Sequence, residues 1–320
     1  MWNRAVASLV VGAFCLVGCA SSPPYVALRT PERPARVPED VTHAEGSFKG
    51  HGGMKLFEQS WRPSGVPRGV LVVMHGLKDH SARYDALAVA AVRRGYAVYA
   101  FDLRGHGRSE GVRVYTSAFD DYLADLGIFV KRVREKEPAA TPFLLGHSMG
   151  GAISTLYAIA HPMELKGLLL SGAALKTEVS GATVTGTKVI AAVSPRAGVF
   201  QLDLDDFSRD PSTVWEGRVD PLVYQEPAPA RTAREVLSAI DRIQEHMEDL
   251  TTPVLVMHGG ADKVTPPDGS RELFRRARAQ DKTLRIYEGL YHDLLHEPER
   301  AQVTGDVLDW LDRRATAPAN

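Results

Sequence analysis

The sequence predicts an α/β fold: a mostly parallel sheet of eight strands flanked by helices, with a mainly helical cap inserted after the sixth strand. Three observations carry that reading. Short runs that are apolar on both faces recur along the chain and alternate with amphipathic or alanine-rich stretches, as buried parallel strands and their crossover helices do. One such run, Phe143-Leu144-Leu145, stops at Gly146-His147-Ser148-Met149-Gly150 and is followed at once by an apolar-periodic stretch to about Ala160. A strand, a sharp turn and a helix therefore meet at a serine. Finally, the alternation is interrupted once, between residues 174 and 250, by clusters of Gly, Thr, Pro and Asp; so long an interruption fits a functional lid better than a structureless loop.

At 320 residues, with 44% hydrophobic and 24% charged content, the chain suits one large domain over residues 44–315. A formal net charge of −1 implies no strongly basic surface and argues against nucleic acid as a partner. The N-terminus stands apart. Arg4 precedes an apolar run over residues 5–17, which is shorter than the ~20 residues a spanning helix needs. Leu16-Val17-Gly18-Cys19 resembles the lipobox of bacterial lipoproteins. That resemblance implies a signal peptide over residues 1–18 and lipidation of Cys19. It also implies a place in the bacterial cell envelope, membrane-anchored on its periplasmic or extracellular face. An uncleaved anchor or a buried helix is the alternative. Residues 19–43, with Pro23, Pro24, Pro31, Pro34 and Pro38, read as an extended tether. Both cysteines, Cys15 and Cys19, lie in this segment, so no disulfide framework is expected in the domain.

Taken in order, residues 44–63 read as an antiparallel hairpin around Gly50, Gly52 and Gly53, and residues 69–75 as a central strand. The loop His75-Gly76-Leu77-Lys78-Asp79-His80 leads into a helix over 81–94. Residues 97–102 form the next strand, followed by a loop dense in Gly and charge and an amphipathic helix over 120–134. The strand before Ser148, its helix and a strand over 165–171 come next. The cap spans about 174–233, with helical patches near 187–192 and 230–247. Strand 253–259, helix 268–279, strand 283–288 and a closing helix over 299–314 complete the chain.

A G-x-S-x-G match is expected by chance roughly 0.1 times in a chain of this length, and this chain has two. Gly107-Arg108-Ser109-Glu110-Gly111 opens no helix, so Ser109 reads as structural. It also lacks phosphate-loop spacing. At the other match Gly146 and Gly150 leave room for a strained turn, and the backbone N–H of Met149, at a helix N-terminus, is a candidate oxyanion donor. Asp262 and His292 follow two later strands at the edge where open α/β sheets place ligands. Singly, Asp262 could cap a helix and His292 could be a braced loop residue. His75 and His80 read as packing or loop-bracing groups, and His296 is the rival base to His292.

These motifs resemble the monoacylglycerol lipase branch of the serine α/β-hydrolases over about residues 44–310. The likeness rests on His75-Gly76, His80-Ser81, Phe101-Asp102, Gly105 to Gly111, Gly146 to Gly151, His258 to Asp262 and Tyr287 to His292. In the cap it is confined mainly to Asp220-Pro221-Leu222, and Gly217 stands where the family often has tyrosine. The resemblance implies a Ser148–Asp262–His292 triad, in the family's chain order, with Leu77 and Met149 as oxyanion donors. It further implies hydrolysis of single-chain lipid esters, most directly monoacylglycerol, without metal or other cofactor. Lysophospholipase, thioesterase and general carboxylesterase activities are alternatives, and a non-catalytic lipid-binding lipoprotein is a more remote one. Asp79 and Arg83 would hydrogen-bond glycerol hydroxyls or else form an i,i+4 ion pair bracing the helix start.

Overall fold

The computed structural model describes Pro38 and residues 40–315; the predicted signal peptide, Cys19 and the tether before Pro38 lie outside the described residues. The chain opens with a hairpin, β1 (Thr42–Lys49) and β2 (Lys55–Arg62), paired antiparallel. There follow β3 (Gly69–Met74), α1 (Asp85–Arg93), β4 (Tyr96–Phe101), α2 (Asp120–Lys136), β5 (Phe143–His147), α3 (Met149–Ala160) and β6 (Gly167–Ser171). The insertion then contributes α4 (Gly181–Val193), β7 (Gly198–Phe200), α5 (Pro211–Val219), β8 (Ala228–Pro229) and α6 (Ala230–His246). The sheet resumes with β9 (Val254–Gly259), α7 (Pro267–Arg276), β10 (Lys282–Tyr287) and α8 (Arg300–Ala315).

Eight strands form one sheet in the order β1-β2-β4-β3-β5-β6-β9-β10, and β7 pairs with β8 in a separate two-stranded sheet. The β1–β2 and β2–β4 pairs are antiparallel and the rest of the large sheet is parallel. The reason lies in the residues. Every side chain of β3, β4, β5 and β6 is buried, and alternate residues feed opposite cores. Val70, Val72 and Met74 join Phe101, Phe129 and Ile153 on one face; Leu71 and Val73 join Trp61, Leu87 and Trp310 on the other. Each such side chain contributes about 1.5–3 kcal/mol on burial, so a one-residue register slip is costly everywhere at once.

Three details differ from the sequence reading. Thr42 and His43, read as tether, pair with Arg62 and Trp61 in β1. That strand is exposed on nearly its whole length, so alternation does not mark its start. Residues 211–219, outside the two helical patches expected in the cap, are helical: the Asp210 side chain accepts from the Ser212 N–H and Pro211 fits the first helical turn. The expected cap edge at Ala233 falls inside α6, which has no Gly or Pro to stop it; its Ala239, Ile240 and Ile243 pack into the main core.

Candidate active site

The loops after β3, β5, β6, β9 and β10 all leave the C-terminal edge of the parallel strands, and together they build the site. Ser148 sits between β5 and α3 at φ 53 and ψ −121, a left-handed conformation that a residue with a Cβ adopts only when its surroundings enforce it. Close packing enforces it here. A Cβ on Gly150 would lie 2.4 Å from the carbonyl oxygens of both Met74 and His75, and one on Gly146 would lie 2.4 Å from that of Gly150. Ser109, in the other pentapeptide, is fully buried. It accepts from the Phe57 N–H at 2.9 Å and donates to the Asp102 carbonyl, both bonds holding the loop to β2 and β4.

His292 and Asp262 meet. His292 Nδ1 lies 2.8 Å from Asp262 Oδ2, with both side chains fully buried. The same oxygen accepts from Thr265 Oγ1 and from His258 Nε2, each at 3.0 Å, while Oδ1 accepts from the N–H groups of Val264 (2.7 Å) and Thr265 (2.9 Å). Burial alone would raise the Asp262 carboxyl. The attraction of His292 and the hydrogen bonds from His258 and His292 outweigh it and hold Asp262 well below the usual carboxylate range. A carboxylate facing Nδ1 puts the ring proton there and leaves Nε2 as the lone-pair nitrogen; Nε2 is buried and has no partner among the described residues. Gly172, at φ +52, makes room for this ring: a Cβ there would lie 2.8 Å from the His292 carbonyl oxygen.

The His292 ring lies 4.8 Å from that of His147, the residue before Ser148. It also lies 5.2 Å, edge to face, from Phe207 of the insertion, whose carbonyl accepts from the Asp293 N–H at 2.7 Å. Phe207, Ser148, Gly76 and Leu77 line one pocket. A Cβ on Gly76 would lie 3.1 Å from that of Ser148, so the loop carrying the Leu77 N–H abuts the serine. Met149 begins α3, where the first N–H groups have no intrahelical acceptor. Burial pushes His147 down to about 4, and its Nδ1 donates to the Ser171 carbonyl.

Asp79 and Arg83 line the same pocket and also form the i,i+4 pair, at 3.1 Å. Sequence reading missed Asp293, whose only signal was its place beside His292. Arg83 pairs with it at 3.1 Å, and His296 Nδ1 lies 2.8 Å from its other oxygen. His296 Nε2 faces the Arg83 carbonyl at 2.8 Å, so this ring braces the polar cluster and has both nitrogens engaged. Burial opposes ionisation of Asp293, but His296, through its charge and hydrogen bond, and then His147 and Arg83 hold it well below the usual range. His75 and His80 are bracing groups too. His75 Nε2 accepts from the Leu103 N–H at 2.9 Å, and His80 Nε2 lies 3.0 Å from Asp220 Oδ2, which ties the Asp220-Pro221-Leu222 turn to the loop after β3. Gly217 faces Arg83, 3.5 Å separating its ideal Cβ from a guanidinium nitrogen.

Comparison with known proteins finds monoacylglycerol lipases among those to which the chain is similar. The monoacylglycerol lipase of Mycolicibacterium smegmatis is 38% identical over 272 residues, 84% of this chain and 97% of that protein. The monoglyceride lipase of Rattus norvegicus is 36% identical over 289 residues, 88% of this chain and 95% of that one. Among solved structures, the monoacylglycerol lipase of Paleococcus ferrophilus matches with a TM-score of 0.74 at 31% identity, covering 81% of this chain and 99% of that one. The family model described as serine aminopeptidase, S33 matches residues 65–299. On that match and these relatives, the chain belongs to the serine aminopeptidase S33 family of α/β-hydrolases.

Proposed function

We propose that this protein is a carboxylic ester hydrolase that cleaves monoacylglycerol through an acyl-enzyme on Ser148. The observation that carries the reading is the Asp262–His292 pair, 2.8 Å apart and buried, its ring 4.8 Å from that of His147, which precedes a pocket-lining serine held at φ 53. Ser148 Oγ attacks the ester carbonyl while His292 Nε2 takes its proton and then delivers it to the departing glycerol oxygen. Asp262 keeps the imidazole in the required tautomer and stabilises it once it is charged. The Leu77 and Met149 N–H groups hold the oxyanion, and removal of one such donor costs about 10²–10³ in kcat. Water, activated by the same histidine, releases the fatty acid. Asp79, Arg83 and Asp293 offer hydrogen-bonding partners for glycerol hydroxyls.

Location is part of the proposal. Lipid at Cys19 would hold the enzyme at the envelope membrane, where single-chain lipids collect. Among the described residues, nine large hydrophobic side chains are exposed, and six of them, Val179, Val189, Val193, Phe200, Trp215 and Val219, lie on the insertion; that bias suits an insertion facing lipid. The test is a panel of acylglycerol, lysophospholipid and acyl-thioester substrates assayed with wild type and Ser148→Ala. The acylglycerol is expected to be cleaved fastest, with the variant several orders of magnitude slower. No hydrolysis, together with no labelling by a fluorophosphonate, would refute the reading. Release of the protein from membranes by Cys19→Ser tests the anchor separately.

A further inference from the structure

The charged groups that line the pocket beside Ser148 are Lys78, Asp79, Arg83 and Asp293. Three of them satisfy one another, Arg83 reaching Asp79 and Asp293 at 3.1 Å each. Lys78 does not take part. It follows the Leu77 oxyanion candidate, at φ 66, and its carbonyl accepts from the Tyr224 N–H at 3.0 Å, so the insertion pins its backbone. Its side chain is only 6% exposed, and its ammonium lies 5.9 Å from the centre of the Tyr224 ring. The Nζ atom is buried and makes no hydrogen bond or ion pair among the described residues.

A buried ammonium without an acceptor works against the fold, so the arrangement calls for an acceptor that the described residues do not provide. Burial lowers the Lys78 pKa to about 8, against the opposing pull of the exposed Glu226, so most of the population stays charged at neutral pH. Asp79 and Asp293 would repel an anion, but Arg83 lies between them, and Asp293 is engaged by His296 as well. The pocket therefore has a carboxylate-rich side suited to hydroxyls and, at Lys78, a lone cation.

We propose that Lys78 binds an anionic oxygen group of the lipid in the Ser148 pocket, which extends the substrate class to single-chain esters bearing a phosphate on the alcohol. This rests on the ester-hydrolase reading above. The same chemistry is offered by the carboxylate of the released fatty acid, and the experiment separates the two sources. Hydrolysis remains the ordinary exchange: the acyl C–O bond breaks, water supplies the new oxygen, and the phosphate-bearing alcohol leaves with a proton.

The experiment measures kcat/KM for 1-oleoylglycerol and for 1-oleoylglycerol 3-phosphate, below their aggregation limits, with wild type, Lys78→Met and Lys78→Arg, and Ki for oleate on each. The expected result is a fall of about 10–100-fold in the phosphate-to-neutral ratio in Lys78→Met, with most of it retained in Lys78→Arg. If the ratio holds but Ki for oleate rises by a similar factor in Lys78→Met, Lys78 binds the product carboxylate and the extension to phosphate-bearing esters is overturned. A ratio and a Ki that both stay within about threefold in folded Lys78→Met overturn the proposal. If wild type cleaves neither ester, the ester-hydrolase reading fails. Calorimetric titration with oleate, wild type against Lys78→Met, then decides the anion site on its own, and equal affinities overturn it.

Discussion

Replacing Asp262 by asparagine removes one charge and almost no volume, and the surroundings dictate how the amide must sit. Two backbone N–H groups, at 2.7 and 2.9 Å, face Oδ1, so the amide oxygen must stay there and the NH₂ must take the place of Oδ2. That NH₂ then meets His292 Nδ1, 2.8 Å away, as a donor. Nδ1 has to give up its proton and accept, the proton moves to Nε2, and the nitrogen meant to deprotonate Ser148 loses its lone pair. The expected loss is about 10⁴ in kcat, equivalent to about 5 kcal/mol of transition-state stabilisation. Stability falls less, by about 1.5–3 kcal/mol for the lost charge-assisted bonds to Oδ2. The assay is hydrolysis of a dispersed short-chain chromogenic ester, with fluorophosphonate labelling and thermal melting on the same preparations. A folded Asp262→Asn protein with kcat within tenfold of wild type would refute the tautomer argument and remove Asp262 from the proposed machinery.

Ser109→Ala leaves the Phe57 N–H without its acceptor, so unfolding should become easier by about 1–3 kcal/mol, while kcat per folded molecule stays within about twofold. A loss of kcat like that of Ser148→Ala would show that the wrong pentapeptide was chosen. His292→Ala should abolish turnover, whereas His296→Ala, which only unbraces Asp293 and the Arg83 carbonyl, should raise KM severalfold and leave most of kcat; kinetics with the reverse outcome would make His296 the base. Asp262 and Asp293 have folded pKa values depressed below their unfolded ones, so the stability each contributes is fully present above about pH 4 and is lost as pH falls toward the folded values. Urea midpoints should therefore drop from about pH 4 down to the acid limit of folding, and Asp293→Asn should flatten that drop; an unchanged slope in the variant would contradict the assignment.

Local pattern by itself determined the fold class and the candidate chemistry. Runs such as Val70-Leu71-Val72-Val73 are apolar on both faces because both faces are covered, and that is visible without any tertiary knowledge. Gly146 to Gly150 announces a strained turn because few residues tolerate one, and Asp262 and His292 each follow a recognisable strand. What the chain order alone left open was which groups touch. Thr265 and His258 join Asp262, and Asp293 joins Arg83 and His296, through contacts set by the register of β9 on β10 and by the seating of the insertion. Neither leaves a periodic signal. The two pentapeptides share a pattern; the missing helix after Gly111 already separates them in the sequence, and the structure supplies the contacts that do so. Ser148 holds a positive φ in a turn where the Met74 and His75 carbonyls leave no room for a Cβ at Gly150, while Ser109 is tied by hydrogen bonds to β2 and to the residue after β4. The edge strand β1 and helix α6 ran past their expected limits for a related reason. An exposed strand shows no alternation at its ends, and a helix without a breaker stops where packing, not propensity, ends it. Lys78 is the extreme case: its residue type is one letter of the sequence, but its lack of a partner among the described residues is a property of everything packed around it.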